Sequence, residues 1–339
     1  MRGKNARKDK INMVRPDYYD KFKCISSECK HNCCKGGWEI EIDDESFERF
    51  SKVPGDFGKR IKDAINDDHI FIHKNGHCPL LAEDGRCEMV LNGIDLCVIC
   101  DEYPRFTEYF DDYVERGISL SCEAAADIIL DNKNKFRLIH ENEGKCSEPV
   151  FKYLFSVREK IFNILTDRSK NIFSRMRISL DYCRYAQERI NENEYGEFIY
   201  EPVDKFSEHI PLTDFADLLK ELPALNSDWK DMLNNMADDE AKKTSHTADE
   251  LITEQLAVYF VYRYFLKAAF DYDAFSKLRF AFLSVMTIVA LENSIGDIKE
   301  CARLYSIEIE HSEENIESIY DEFLFGDEYS FENIIAMIS

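Results

Sequence analysis

The sequence predicts a mainly α-helical protein in which an irregular, cysteine-rich N-terminal module precedes a helical domain. Three observations predict it. Nine of the 12 cysteines fall between positions 24 and 122. Glycine and proline punctuate that same stretch, as turns require. Beyond about residue 146, apolar residues recur at three- and four-residue spacing, the period of a buried helix face. The expected division is therefore residues 1–145, a metal- or cluster-binding module, and residues 146–339, a helical domain with an acidic C-terminal region. A length of 339 residues fits two domains.

In the first part, Gly36-Gly37, Pro54-Gly55, Asn75-Gly76, Asp84-Gly85 and Asn92-Gly93 mark turns, with room for short helices between them. Asp44 is a candidate cap for a helix over Glu45–Ser51, with Phe47 and Phe50 on one face. Small strands are expected near Trp38–Ile42 and Ile70–His73. In the second part, Ser147-Glu148-Pro149 combines a cap residue, an acid and a first-turn proline. Phe151, Leu154, Phe155, Ile161, Phe162 and Leu165 follow at helical spacing. Asp249-Glu250 opens another helix, and Asp273–Leu291 is apolar nearly all round, which predicts a central buried helix. The polar stretch Asn226–Ala248 reads as a connection or an exposed helix.

The 66 acidic and 43 basic residues give a formal charge of −23. Such a surface repels phosphate backbones, which argues against nucleic acid as a partner and favours basic partners. The 13 acids and 2 bases of residues 291–339 supply −11 of that charge. The apolar stretches Leu256–Tyr262 and Phe280–Leu291 are shorter than the ~18–20 residues of a membrane span. The basic N-terminus lacks the apolar region of a signal peptide. A cytoplasmic location is expected, and there cysteines point to metal or redox chemistry rather than to disulfides.

The first cysteine group is Cys24-x4-Cys29-x3-Cys33-Cys34. The second is Cys78-x8-Cys87, then Cys97-x2-Cys100, then Cys122. Thiolates at such intervals can converge on zinc or an iron–sulfur cluster. Neighbouring Cys33 and Cys34 diverge too far to serve one tetrahedral ion together with ease. The Cys97-x2-Cys100 pair alone is also compatible with a redox dithiol. His31, His73 and His77 lie in the same region. No glycine pair forms GxG, and GK[ST], GxSxG and HExxH are absent, so no dinucleotide fingerprint, P-loop, nucleophile elbow or zincin site is written here.

These residues resemble a known family. Arg15-Pro-Asp-Tyr-Tyr-Asp-Lys-Phe-Lys-Cys24, followed by Cys29, Cys33-Cys34 and Trp38, resembles the start of flagellin lysine-N-methylases. Cys78-Pro-Leu-Leu, Cys87, Cys100-x2-Tyr103-Pro104-Arg105 and Ser119-Leu-Ser-Cys122-Glu-Ala follow in that family's order. The cysteine portion is also similar to domains described as zinc- or iron-chelating. The resemblance covers residues 15–125 well and the remainder loosely, through Tyr259–Lys267. It implies methyl transfer from S-adenosylmethionine to lysine side chains of flagellin. It also implies an iron–sulfur cluster, of the 4Fe–4S type, or else zinc, held among Cys24, Cys29, Cys33, Cys34, Cys78, Cys87, Cys100 and Cys122. Cys97 is outside the pattern.

A lysine must lose its proton before it can be methylated, so a desolvating site or a base is required. Tyr103 and Arg105 are the candidate catalytic residues, and Asp101, Glu102, Tyr109 and Tyr113 lie close to them in sequence. Two other readings stay open at this level: a non-catalytic interaction module stapled by zinc or iron, and a thiol redox protein. The substrate site is expected between the two parts of the chain, where clefts form.

Overall fold

A computed structural model of the chain describes residues 12–36, 38–73, 76–141, 146–205, 207–242 and 248–339. Helices dominate, joined by a small mixed sheet. Strands β1 (Asn12–Pro16), β2 (Arg105–Phe110), β3 (Tyr113–Ile118) and β4 (Leu138–His140) lie in the order β2-β3-β1-β4. β2 and β3 form a hairpin whose turn holds Asp111 at positive φ. β1 runs parallel to β3, with Val14 opposite Glu115, and antiparallel to β4. The strands expected near Trp38–Ile42 and Ile70–His73 are instead the isolated bridges Glu41–Ile70 and Ile65–Phe71. His69 turns the chain there at positive φ, while Ile40, Ile42 and Phe71 are drawn into a small core.

The N-terminal half carries five short helices: α1 (Asp44–Ser51), α2 (Gly55–Asp63), α3 (Glu88–Leu91), α4 (Val98–Glu102) and α5 (Glu123–Leu130). The cap of α1 is Asp43, one residue before the expected Asp44, because Asp43 is the residue held extended with its carboxylate on the Ser46 N–H at 2.9 Å. Its other oxygen accepts from the Val98 N–H at 3.0 Å, so one side chain caps both α1 and α4. These bonds lower the Asp43 pKa, the one from Val98 most. We expect Asp43→Ala to cost about 1–2 kcal/mol in urea denaturation. A carboxyl with a depressed folded pKa stabilises above its unfolded pKa, ~3.9, and loses that contribution as pH falls through the folded value. The difference between Asp43→Ala and the parent should therefore shrink in acid.

The expected long helices are present. α6 (Pro149–Leu165) starts at the proline, with Glu148 rather than Ser147 at the cap position. α7 (Ile172–Asn191), α8 (Thr213–Glu221) and α9 (Trp229–Glu240) follow. α9 lies in the polar stretch, yet it is not an exposed helix: Trp229, Leu233 and Met236 recur at helical spacing and are buried. α10 (Glu250–Tyr264) is capped by Asp249. After the short α11 (Ala268–Asp271), α12 (Ala274–Ile295) is capped by Asp273 and ends at Gly296 in the left-handed region. α12 packs against α7, α9 and α10, as its all-round apolarity requires. By length and composition it could cross a bilayer, but 94% of its most apolar window is buried in the fold. α13 (Ile298–Tyr305), α14 (Glu313–Phe325) and α15 (Phe331–Met337) close the chain.

Apolar side chains form two clusters. The smaller gathers Ile40, Ile42, Phe50, Ile61, Phe71, Leu80 and Met89 with Cys78 and Cys97. The larger unites Val14, Tyr18, Phe22 and α5 with the helices beyond residue 146. Arg158 of α6, fully buried, ties that core to the sheet by two bonds to Glu115 of β3, at 2.9 and 2.5 Å.

Candidate functional site: a cysteine-lined cavity

All nine cysteines between positions 24 and 122 line one cavity of about 1080 Å³. Its walls come from distant segments: Phe22–Cys34, Trp38–Ile40, Cys78–Arg105, Cys122–Ala124, Pro223–Leu225 and Ile307–Asn315, with Phe50 and Phe71. Cys146, Cys183 and Cys301 are buried elsewhere. All twelve cysteines are free thiols.

Short turns and side-chain ties bring the thiols together. Cys33–Lys35 is a 3-10 turn whose cap, Asn32, accepts from the Cys34 N–H at 2.9 Å. The Asn32 amide donates to the Gly85 carbonyl at 2.7 Å, which joins this turn to the Cys78–Cys87 loop. The Cys78 N–H donates to the Cys34 carbonyl at 2.8 Å. Glu123, at the start of α5, accepts from the Lys30 N–H at 2.9 Å, the His31 N–H at 3.2 Å and the Cys29 thiol at 3.4 Å. That holds the Cys29 loop beside Cys122.

The thiols divide electrostatically. Cys33 accepts a hydrogen bond from Cys34, and this draws its pKa down to about 7. Cys78 is lowered by a bond from the same Cys34, whose own pKa is pushed far up because it donates to both. Cys97 is lowered to about 7 by Cys100, which rises in turn. Burial raises Cys29 to about 12, with the Glu123 carboxylate adding to it, and raises Cys122 to about 11. Burial also raises Cys87. A set of soft donors, several of them readily ionised, is what zinc or iron–sulfur clusters take. Among the described residues, no three or more His, Cys, Asp or Glu side chains are already closed around a single point. The donor chemistry fits a metal, and the arrangement is one of pairs around a cavity.

Of the other residues singled out, Asp101, Tyr103, Arg105 and His31 line the cavity. The Arg105 guanidinium lies over the Phe22 ring, 5.0 Å from its centre. The Tyr103 hydroxyl is 3.2 Å from Ser121 Oγ, and burial raises its pKa strongly, so it stays protonated. His31 pairs with Glu300 at 3.1 Å. Tyr109 is exposed on β2, Tyr113 donates to Glu115, and Glu102 pairs with Arg116, so these three turn away from the cavity. His73 and His77 do not line it.

Trp38, Tyr103 and His311 form an aromatic face. Trp38 lies 5.4 Å from Tyr103 and 5.1 Å from His311, and Tyr103 lies 6.4 Å from His311. Gly36 seats Trp38: a Cβ at Gly36 would fall 2.6 Å from the six-membered ring. We expect Gly36→Ala to shift the tryptophan emission, read against the buried Trp229, and to cost about 1–2 kcal/mol from overpacking.

The C-terminal wall was not legible in the sequence. It begins with a π-helical turn, Ser306–Glu310, a geometry common at functional sites. That turn places Ile307 and Glu308 on the cavity and brings His311 onto it. Glu308 accepts from the Leu225 and Asn226 N–H groups at 2.7 and 3.0 Å, fixing the Pro223–Leu225 wall. Glu310, buried behind it, accepts from Tyr259 at 3.0 Å, Tyr264 at 2.9 Å and Arg263 at 3.1 Å. The His311 ring faces the open cavity within a protein wall. Loss of hydration and the Arg263 charge lower its pKa to about 4, so the ring is neutral.

No protein-family model matches the chain, and no solved structure matches it. By sequence it is 25% identical over 171 residues to a lysine-N-methylase of Salmonella typhimurium, and equally so to one of Salmonella choleraesuis. Each match covers 45% of this chain and 41% of the relative. It is also 26% identical over 143 residues to flagellar biosynthetic protein FliU of Salmonella muenchen, covering 38% of this chain and 82% of that protein. The chain spans about two-fifths of the length of the lysine-N-methylases it matches. It is thus a distant, partial relative of proteins named lysine-N-methylase and flagellar biosynthetic protein FliU.

Proposed function

We propose that this chain is a protein-lysine N-methyltransferase that transfers methyl groups from S-adenosylmethionine to flagellin in the cytoplasm, at the cysteine-lined cavity. The observation that carries this reading is convergence. Motif residues spread from Cys24 to Cys122, singled out by their order, line one cavity together with Trp38, Tyr103 and Arg105. The distant likeness to proteins named lysine-N-methylase and FliU supports the same chemistry and substrate.

The site has the properties that lysine methylation requires. A cavity of about 1080 Å³ accommodates a donor and an inserted side chain. Its largely apolar wall, with Ile40, Leu80, Met89 and Ile99, withdraws water from an entering ammonium and lowers its pKa. Asp101 and Glu39 also line it and can take the proton. The freed lone pair attacks the donor methyl carbon in line. The C–N bond forms as the C–S bond breaks, the bonding pair leaves with sulfur as a neutral thioether, and the amine's proton passes to the carboxylate or to water. Protonated Tyr103 serves as a hydrogen-bond donor, and Arg105 as an anchor for a carboxylate.

A 4Fe–4S cluster, or zinc in its place, is proposed to be held by cysteines drawn from among Cys24, Cys29, Cys33, Cys34, Cys78, Cys87, Cys100 and Cys122, with Cys97 beside them. When bound, such a centre would brace the loops around it, and a metal position left without a cysteine would offer a Lewis-acid site to the donor's amino and carboxylate groups. Incubating flagellin with the protein, isolated and assayed under nitrogen with S-adenosylmethionine, tests the activity. Lysine residues should gain the mass of one methylene per transfer, and none should do so when the donor is omitted. Unmodified flagellin in the presence of folded, metal-replete protein would refute the activity.

A further inference from the structure

We propose that Trp38, Tyr103 and His311 form a subsite for an alkylated onium cation, on the side of the cavity walled by the C-terminal segment. The inference rests on the methyltransferase reading and deepens it, because both partners of that reaction carry an onium: the donor's sulfonium, and the lysine ammonium before and after methylation.

The three rings line the same cavity and contact one another, with centres 5.1–6.4 Å apart and planes inclined at 41–77°. Inclined aromatic rings that line one space can receive methylated ammonium groups on their electron-rich faces. Packing leaves part of each ring uncovered: Trp38 and Tyr103 are half-buried and His311 is exposed. Gly36 leaves Trp38 room to lie back against the backbone. None of the three rings carries a positive charge at neutral pH, so the face does not repel a cation. Glu39, Asp101 and Glu308 line the same cavity against Arg105, which makes its formal charge negative before any thiolate is added. The guanidinium groups that act on this face are both paired, Arg263 with Glu310 and Arg303 with Glu300.

The test compares cations with neutral counterparts on the full, metal-replete chain by calorimetry and tryptophan emission. One pair is S-adenosylmethionine and its thioether product. The other is a trimethyllysine amide and the analogue with tert-butyl in place of trimethylammonium. At least one cation should bind more tightly than its neutral partner, by a factor on the order of ten. Trp38→Leu should abolish that preference, and Trp38→Phe should retain part of it. Tyr103→Leu and His311→Leu should each weaken it, which keeps the test in force if Trp38→Leu does not fold. A preference within the donor pair assigns the subsite to the sulfonium, and one within the lysine pair assigns it to the ammonium.

Equal affinities in both pairs, no measurable binding of either cation, or a preference unchanged in the ring variants would overturn the proposal. Methyl transfer to flagellin without cation preference removes the subsite and leaves the activity. Cation preference without methyl transfer supports the subsite and removes the activity.

Discussion

Cys34→Ser is expected to empty the proposed metal centre and to reduce the proposed methyl transfer to background. Cys34 is the hub of the thiol set: it donates to Cys33 and to Cys78, and its carbonyl accepts from the Cys78 N–H. Its loss removes a donor and releases the proton arrangement that favours ionised Cys33 and Cys78. Serine keeps the shape but is a poor, hard ligand for zinc or iron. Loss of a supporting residue near a metal typically costs ~10–100-fold in affinity, so loss of a ligand should cost at least that. Metal analysis of the purified variant reads the effect directly. Cys183→Ser is the control, because Cys183 is buried on α7 away from the cavity and donates only weakly to the Ala274 carbonyl at 3.6 Å. It should leave the metal content unchanged. Full metal occupancy in Cys34→Ser would remove Cys34 from the ligand set.

Glu310→Ala is expected to destabilise the protein by about 3–5 kcal/mol, because it strands a guanidinium that is only 14% exposed. Glu310 is buried and receives Arg263 and two tyrosine hydroxyls at once. Among the described residues, Arg263 would keep Tyr259 as its one hydrogen-bond partner, at 2.8 Å. The carboxylate also anchors the π-helical turn against α10, so the wall bearing Glu308 and His311 should loosen with it. Glu310→Gln retains an acceptor without the charge and should cost less than alanine. Urea denaturation of the three proteins measures the series. A loss below about 1 kcal/mol in Glu310→Ala would mean that the network carries no net stabilisation.

The helices beyond residue 146 were legible because their signals are local. The helices expected to open at Asp249-Glu250 and Asp273 do start there, with each aspartate as the cap, and proline opens α6. The grouping of nine cysteines was legible as composition, and the structure brings all nine to one cavity. The sheet was not legible. β1 pairs in parallel with a strand about a hundred residues further on, and five residues of Asn-Met-Val-Arg-Pro carry no alternation that would announce it. The C-terminal wall was missed for the same reason. His311 stands in an acidic stretch with no neighbouring ligand, and only a π-helical turn after α13 swings it towards Trp38. The cysteines and the acidic C-terminal region, far apart in sequence, therefore meet at one cavity through Glu308 and His311. α9 was misread because the charges of Asn226–Ala248 mask a narrow buried stripe of Trp229, Leu233 and Met236.

Whether the cavity's thiols hold metal or stand unligated is decided most directly by iron, zinc and acid-labile sulfide analysis of the protein isolated under nitrogen. The expected result is a coloured protein with iron and sulfide in comparable, near-stoichiometric amounts, lost in Cys34→Ser and kept in Cys183→Ser. A colourless protein carrying zinc would replace the cluster with a structural ion at the same cysteines. A folded protein with neither metal, active or not, would contradict the assignment of this cavity as a metal centre.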